Sequence, residues 1–272
     1  MKDKLMRKEF IFLELLSLLC VTLSFGQEAQ LAIYDSKEEG LYFDQALIYS
    51  YSDHTGLKKE IWIYHSSCSG RFLFDHAAWG REDEMIHYVI AQPDGSYLTF
   101  GTEAEGPGNG KIVAVDSVYL ESKDARTAIP PNDGYIQFVA LPESNKVIAG
   151  LESRAYKVRK LKEANGKEVI HLATVDFDTR LIYAFNQQAQ ELRLPELFSD
   201  GLSLGADQLI TRIESSYTDS NGKKYWSTLS LETIDPTTYW APYKEHTLRQ
   251  RIGEKLITKP LLESMELTEP CY

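Results

Sequence analysis

Apolar and polar residues alternate with a period of two along most of this chain, in runs rich in Tyr, Val, Ile, Phe and Trp. The pattern predicts strands over 41–51, 59–66, 71–75, 84–91, 96–101, 111–120, 135–141, 154–161, 168–175, 180–186, 209–218 and 223–234. Between them stand Ser69-Gly70, Asp94-Gly95, Asn165-Gly166 and Asn221-Gly222, whose backbones tolerate the positive φ of tight hairpin turns. Hairpins in series give an antiparallel meander rather than alternating β-α units. Helical spacing is clear only over 243–257, where Leu248, Ile252 and Leu256 recur four apart. A shorter helix is expected over 187–194, ahead of Pro195. The stretches 102–110 and 121–134 read as loops from their Gly, Pro and charge content. The expected fold is mainly β, a curved antiparallel meander sheet (half-barrel or sandwich) with a C-terminal amphipathic helix.

The stretch HSSCSGRFLFDH, from His65 to His76, gathers two histidines, a cysteine, three serines and an aspartate. With Ser69-Gly70 as the turn, Cys68 opposes Arg71 and His65 opposes Phe74. Opposed residues share a face, and so do alternate residues along a strand. One face then carries Ile61, Ile63, His65, Phe72, Phe74 and His76. The other carries Trp62, Tyr64, Ser66, Cys68, Arg71, Leu73 and Asp75. Cys68 points away from both histidines, so the three do not close on one zinc. The segment is read as a hairpin. Both of its faces are apolar, whereas a sheet with one wet face alternates cleanly. Each face therefore needs cover, from the helix, a second sheet or a bound apolar ligand. Trp62, Tyr64, Phe72 and Phe74 are the candidate lining of such a pocket.

The N-terminus changes the setting. Lys2, Lys4, Arg7 and Lys8 precede an apolar run from Phe10 to Phe25, and Ser24 and Gly26 supply small residues at the usual cleavage offsets. That is the anatomy of a signal peptide over 1–26, with a single β-rich domain over 27–272. Glu14 interrupts a run that is short for spanning a bilayer. Lipid attachment at Cys20 is the rival, but Leu19 is large where a lipoprotein signal wants a small residue. Localisation is therefore read as exported: periplasm, cell envelope or secreted.

Charge removes one class of function. The formal charge of the whole chain is −11, and the segment 1–26 carries four basic and three acidic side chains, leaving −12 on the remainder. Such a surface repels nucleic acid, and no basic cluster stands out along the sequence to offset it. Cys68 and Cys271 remain after processing, and in an oxidising compartment an even pair is a candidate disulfide.

Other candidate chemistry is thin. Gly106 to Lys111 lacks the spacing and the following Ser or Thr of a phosphate loop, and a strand follows where a helix is needed. Asp176 and Asp178, in VDFDTR, read as turn residues. There is no G-x-S-x-G, H-E-x-x-H or C-x-x-C. No catalytic residue, metal ligand or cofactor is assigned, and an active site assembled from distant strands stays unread. Sixteen Tyr and four Trp leave the aromatics as the last candidate. Tyr239, Trp240 and Tyr243 cluster in TTYWAPY as a possible binding surface, with core packing as the competing reading.

The run NKVIAGLESRAYKVRKL, followed by NGKEVIHLATVDFDTRLIYAF, resembles exported bacterial proteins with a lipoprotein-carrier-like (LolA-like) sheet. There an I-x-G segment leads into a Tyr-bearing strand and successive hairpins; Ile148, Gly150 and Tyr156 take those places here. The signal ending SFGQ resembles those of Bacteroidetes exports. The resemblance implies a curved antiparallel sheet whose concave face, closed by helix, holds lipid or apolar material. The function expected is a non-enzymatic exported protein binding an apolar small molecule or an envelope protein. The alternative is a glycan- or peptide-recognition module using exposed aromatics. No integral membrane segment is expected, and oligomeric state is not legible.

Overall fold

Alternation carries the chain into strands at most of the predicted runs, with ends moved by a few residues, except that the run expected to end at 234 continues to Pro242. The computed structural model describes residues 40–75, 86–102, 111–117, 136–160, 166–183, 204–243, 246–252 and 255–260. The strands are β1 (Gly40–Asp53), β2 (Lys58–His65), β3 (Phe72–Asp75), β4 (Ile86–Ala91), β5 (Ser96–Thr102), β6 (Lys111–Ser117) and β7 (Ile136–Ala140). They continue as β8 (Lys146–Ile148), β9 (Leu151–Lys160), β10 (Gly166–Thr174), β11 (Gln208–Thr218), β12 (Lys224–Pro242), β13 (Thr247–Ile252) and β14 (Lys255–Pro260). They form one sheet in the order β14-β13-β6-β5-β4-β3-β2-β1-β12-β11-β10-β9-β7, with β8 beside β9. Two meanders, β1–β6 and β9–β12, therefore meet along the long β1–β12 ladder. β13 joins β6 in parallel, from Thr247 opposite Ile112 to Arg249 opposite Ala114.

Two sequence expectations fail. The C-terminal amphipathic helix is not formed, because its span is the β13–β14 hairpin, closed by Ile252 opposite Lys255. A spacing of four is even, so it keeps residues on one face of a strand as well as near one face of a helix. The strand expected over 180–186 is overturned at 180–183, which is helical. Its apolar run LIYAF is continuous, and period alone does not assign such runs. Asp178 accepts the Arg180 backbone N–H at 3.1 Å, an N-terminal cap. The helix expected over 187–194 and the signal peptide lie outside the described residues, as do the loops over 103–110 and 121–134.

The sheet cannot be flat. Tyr97 Oη on β5 donates to the Leu181 carbonyl at 3.0 Å. Two residues earlier, the Thr179 hydroxyl donates to the Gln208 carbonyl at the start of β11, at 2.9 Å. In a flat sheet β5 and β11 would stand six spacings, ~29 Å, apart. The sheet curls round this segment, and Leu181, Ile182 and Tyr183 are buried in the first core with Ile63, Phe72, Phe74, Ile170, Ile213 and Leu229.

A second core lies on the opposite face of β2–β5, around Leu73, Tyr88, Ile90, Leu98 and Phe100. The end of β12 crosses over it. Tyr239 stacks on Tyr64 of β2 at 4.4 Å, Tyr88 of β4 donates to the Pro242 carbonyl, and His246 meets Phe100 of β5 edge-on at 5.2 Å. β12 and β13 stand seven strand spacings apart, ~34 Å if flat, while the four residues linking them span at most ~17 Å. That link is possible only because this strap runs diagonally back over the curved face. It covers the face that the expected helix was meant to cover.

The strap needs the β1–β12 ribbon to turn over. Phe43 packs toward Tyr64, yet Gln45 Oε1 bonds His65, the next residue along β2. Alternation alone would put 43 and 45 on one side. The register of β1 against β12 slips between Phe43 and Gln45. A bulge of that kind adds local twist, which reverses the ribbon.

Candidate functional site

The hairpin at 65–76 forms with a register two residues from the expected one. Ile63 opposes Phe74 and His65 opposes Phe72, with Ser66 N–H donating to the Arg71 carbonyl across the turn. An even slip leaves every side chain on its expected face. Asp44 holds the turn by accepting the Ser67 N–H at 2.8 Å and the Ser67 hydroxyl. His65 is buried between Phe72 and Phe177, each ring 4.6 Å away, with Nδ1 2.9 Å from Gln45 Oε1. Burial pushes its pKa down to about 4, against the opposing pull of Asp44 and Asp176. His65 is neutral and packed. His76 lies outside the described residues. Among the described residues, no three His, Cys, Asp or Glu side chains gather as a metal would require.

The four residues expected to line one pocket are divided between two faces. Phe72 and Phe74 are fully buried in the first core. Tyr64 borders the second core, half-buried, and loss of water there pushes its hydroxyl up to about 12. Trp62 points to the same side as Tyr64, 5.9 Å from it, and its indole N–H donates to Glu60 at 2.6 Å. Nor do Tyr239, Trp240 and Tyr243 form one surface. Tyr243 is fully buried and Tyr239 lies under Tyr64, while Trp240 sits 5.0 Å from Tyr42. In this cluster two of the three aromatics are packing residues of the strap. Cys68 is exposed in the β2–β3 turn and is disulfide-bonded, with its partner, like Cys271, outside the described residues.

The concave face, which the LolA-like resemblance would leave for apolar cargo, is occupied by the chain itself. Leu181, Ile182 and Tyr183 fill it, and the Tyr183 hydroxyl both donates to the Gln208 carbonyl at 3.1 Å and accepts the Ile210 N–H at 2.8 Å. Tyr49 Oη donates to the Ile210 carbonyl at 2.9 Å. Burial raises the pKa values of Tyr49, Tyr97 and Tyr183, so these hydroxyls stay protonated as donors. They fasten a plug.

What remains open is the far end of the β11–β12 hairpin. Tyr217 and Tyr225 oppose each other and stack at 4.6 Å, with His54 edge-on to Tyr225 at 4.7 Å and Lys223 Nζ 4.9 Å from its centroid. Tyr217 is 52% exposed and Trp226, on the other face of the hairpin, is 47% exposed. The composition count passed over these residues because they sit inside strand runs. The available signal was their closeness to the Asn221-Gly222 turn, since aromatics beside a hairpin tip project past the core. One open cleft lies near this region and another at the opposite end of the same strands. One, of about 290 Å³, is lined by Lys157, Val158, Arg159, Gly166, Lys167, Glu168, Ser215 and Ser216. The other, of about 610 Å³, lies at the β8–β9 edge and includes Asn145, Lys146, Glu152, Arg154, Tyr156 and Gln208. Both are largely polar. Among the described residues, no helix is long and apolar enough to cross a membrane.

No protein-family model matches the sequence, and no curated protein matches it. Among solved structures, the chain is similar to MucB over 75% of its own length and 56% of MucB's, at 11% identity and a TM-score of 0.30. It therefore spans just over half of that protein. It is also similar to the LolA superfamily protein NE2245 from Nitrosomonas europaea, at 9% identity and a TM-score of 0.23, covering 74% of this chain and 87% of that one.

Proposed function

We propose that this is an exported, non-catalytic binding protein that meets its ligand or envelope partner on the open surface of its sheet. The supporting observation is the closure of both apolar faces. The plug at 181–183 fills one, and the β12 strap covers the other. Burying a large apolar side chain contributes about 1.5–3 kcal/mol, so clearing either face for cargo would cost several such terms. The polar-rimmed aromatic end of β11–β12 requires no such clearing. Export over the signal 1–26, a single domain over 27–272 and a Cys68–Cys271 disulfide belong to the same reading. That disulfide would tie the C-terminus to the β2–β3 turn.

Two measurements test it. Native mass spectrometry of the mature protein purified from the cell envelope should show the bare polypeptide mass, less two hydrogens for the disulfide. A stoichiometric lipid would restore the reading of an apolar ligand held inside, with Phe72 and Phe74 as its lining. A photo-crosslinking residue at Tyr217 should capture an envelope component, while the same residue at Thr238 on the strap should not. Equal labelling at both sites overturns the surface reading.

A further inference from the structure

The solvent face of β9–β12 carries a row of side chains with a shared chemistry. Lys167 of β10 opposes Ser216 of β11, and Ser216 opposes Trp226 of β12. Directly opposed residues share a face, so ammonium, hydroxyl and indole stand side by side. Glu168 opposes Val158, so the next residues along, Lys167 and Arg159, adjoin across β9 and β10. Lys157 lies two residues from Arg159 on the same side of β9. These three cations line the cleft of about 290 Å³ together with Ser216 and one acidic residue, Glu168, which alternation places on the other face of β10 from Lys167. Among the described residues, no carboxylate forms an ion pair with Lys157, Arg159 or Lys167; the pairs there are Arg180–Asp178 and Arg212–Glu214. A chain with a net charge of −11 has acidic residues to spare for such pairing, yet among the described residues none pairs with these three neighbouring cations.

We propose that this row binds an acidic saccharide, a deepening that rests on the surface-binding reading above. Lys157, Arg159 and Lys167 take the carboxylate, sulfate or phosphate substituent. Ser216 hydrogen-bonds a ring hydroxyl, and the exposed Trp226 indole packs on the C–H face of the sugar. Lys167 and Trp226 are two strand spacings apart, ~9.5 Å, which suits one sugar ring and its charged group. A bare anion needs only the cations, and a neutral sugar needs only the indole. The row offers both at once. The overall negative charge of the protein excludes long polyanions held by charge alone and restricts binding to this patch.

The test is a glycan array carrying carboxylated, sulfated and phosphorylated oligosaccharides beside their neutral counterparts, probed with the full mature chain. Binding to an acidic member is expected, with at least tenfold weaker binding to its neutral counterpart. Lys167→Glu and Trp226→Ala should each weaken it at least tenfold. Both residues are exposed, so an unchanged thermal midpoint shows that the variants are folded. Binding that is equal for neutral and acidic members overturns the proposal. So does inorganic polyphosphate bound as tightly as the saccharide and unaffected by Trp226→Ala. If no acidic saccharide binds while crosslinking at Tyr217 still captures an envelope component, the ligand class falls and the surface-binding reading stands. If both fail, both fall.

Discussion

Two regions of one sheet obey different patterning rules. In β3 and β4, Phe72, Leu73 and Phe74 are consecutively buried, and so are Tyr88, Val89, Ile90 and Ala91. In the paired stretches 212–214 of β11 and 229–232 of β12 burial alternates: Ile213, Leu229 and Leu231 are buried, while Arg212, Glu214, Ser230 and Glu232 reach solvent. Strand propensity does not separate the two. The difference lies in what crosses each face. β3 and β4 have the plug on one side and the strap on the other, whereas this part of β11 and β12 has the first core on one side only. An antiparallel sheet tolerates one wet face, and that face is where a ligand can be met without disturbing a core. Long-range crossings thus decide which part of the sheet is structural and which is available.

The sharpest way to break this comparison is to truncate neighbours in β3. Phe72→Ala and Leu73→Ala point to opposite faces, and each should cost ~2–5 kcal/mol in urea unfolding because each empties a packed site. If either variant fails to fold, Phe72→Leu and Leu73→Val give smaller losses of the same sign. A near-neutral Leu73→Val would mean that the strap does not bury its face.

Much of the first core was legible and little of the second. Period-two runs and turn dipeptides located most strands, and the parity of the 65–76 hairpin survived a register error because the slip was even. The strap was not legible. It depends on β13 pairing in parallel with β6, some 135 residues earlier in the chain, and on a bulge that reverses the β1–β12 ribbon. Neither leaves a local signal, and Leu248 and Ile252 fit strand and helix spacing alike. The four candidate pocket residues divide between two faces for a related reason: facing residues were assigned correctly, but what covers them is set by distant segments. The basic row was missed because Lys157, Arg159 and Lys167 are neighbours only once β9 and β10 pair.

Acidification acts beside the first of these regions, where His65 opposes Phe72 of β3. His65 belongs to β2, and Phe177, from the connection between β10 and β11, packs on its ring. Its folded pKa of about 4 lies below the ~6.5 expected when unfolded, so the unfolded chain binds more protons between those values. Its contribution is full above pH ~6.5, is lost progressively as pH falls, and is gone below about 4, a change of up to ~3 kcal/mol. His171, also lowered chiefly by burial, adds in the same direction. His65→Gln should flatten the stability profile between pH 7 and 5 relative to the parent. In the parent, the His65 ring resonance should stay at its neutral shift down to pH 5; titration near 6.5 would show the ring to be hydrated and not packed against Phe72 and Phe177.

The plug gives a smaller effect. Tyr97→Phe removes the hydrogen bond to the Leu181 carbonyl and leaves that acceptor buried, a loss of ~1–2 kcal/mol. Amide exchange over 180–183 should accelerate while β1 and β2 keep their protection. Uniform acceleration would make the plug part of the global unfolding unit instead of a separately fastened element.

The smallest expected effect is the most discriminating. Ile213 and Glu214 are adjacent on β11, one buried and one half-exposed, and Glu214 pairs with Arg212 at 2.7 Å. Side-chain exposures of 32% and 40% leave that ion pair largely hydrated. Pairs of this kind contribute ~0.2–1 kcal/mol and are screened by salt. Glu214→Ala should therefore cost less than ~1 kcal/mol, and the difference from the parent should shrink in 1 M NaCl. Ile213→Ala, one residue away, should cost ~2–5 kcal/mol whatever the salt. The contrast with β3, where both neighbours are expensive to truncate, is the comparison in its simplest form. A loss above 2 kcal/mol for Glu214→Ala would mean that another part of the chain covers this face. The row from Arg159 to Trp226 would then be an interior contact, and no saccharide could reach it.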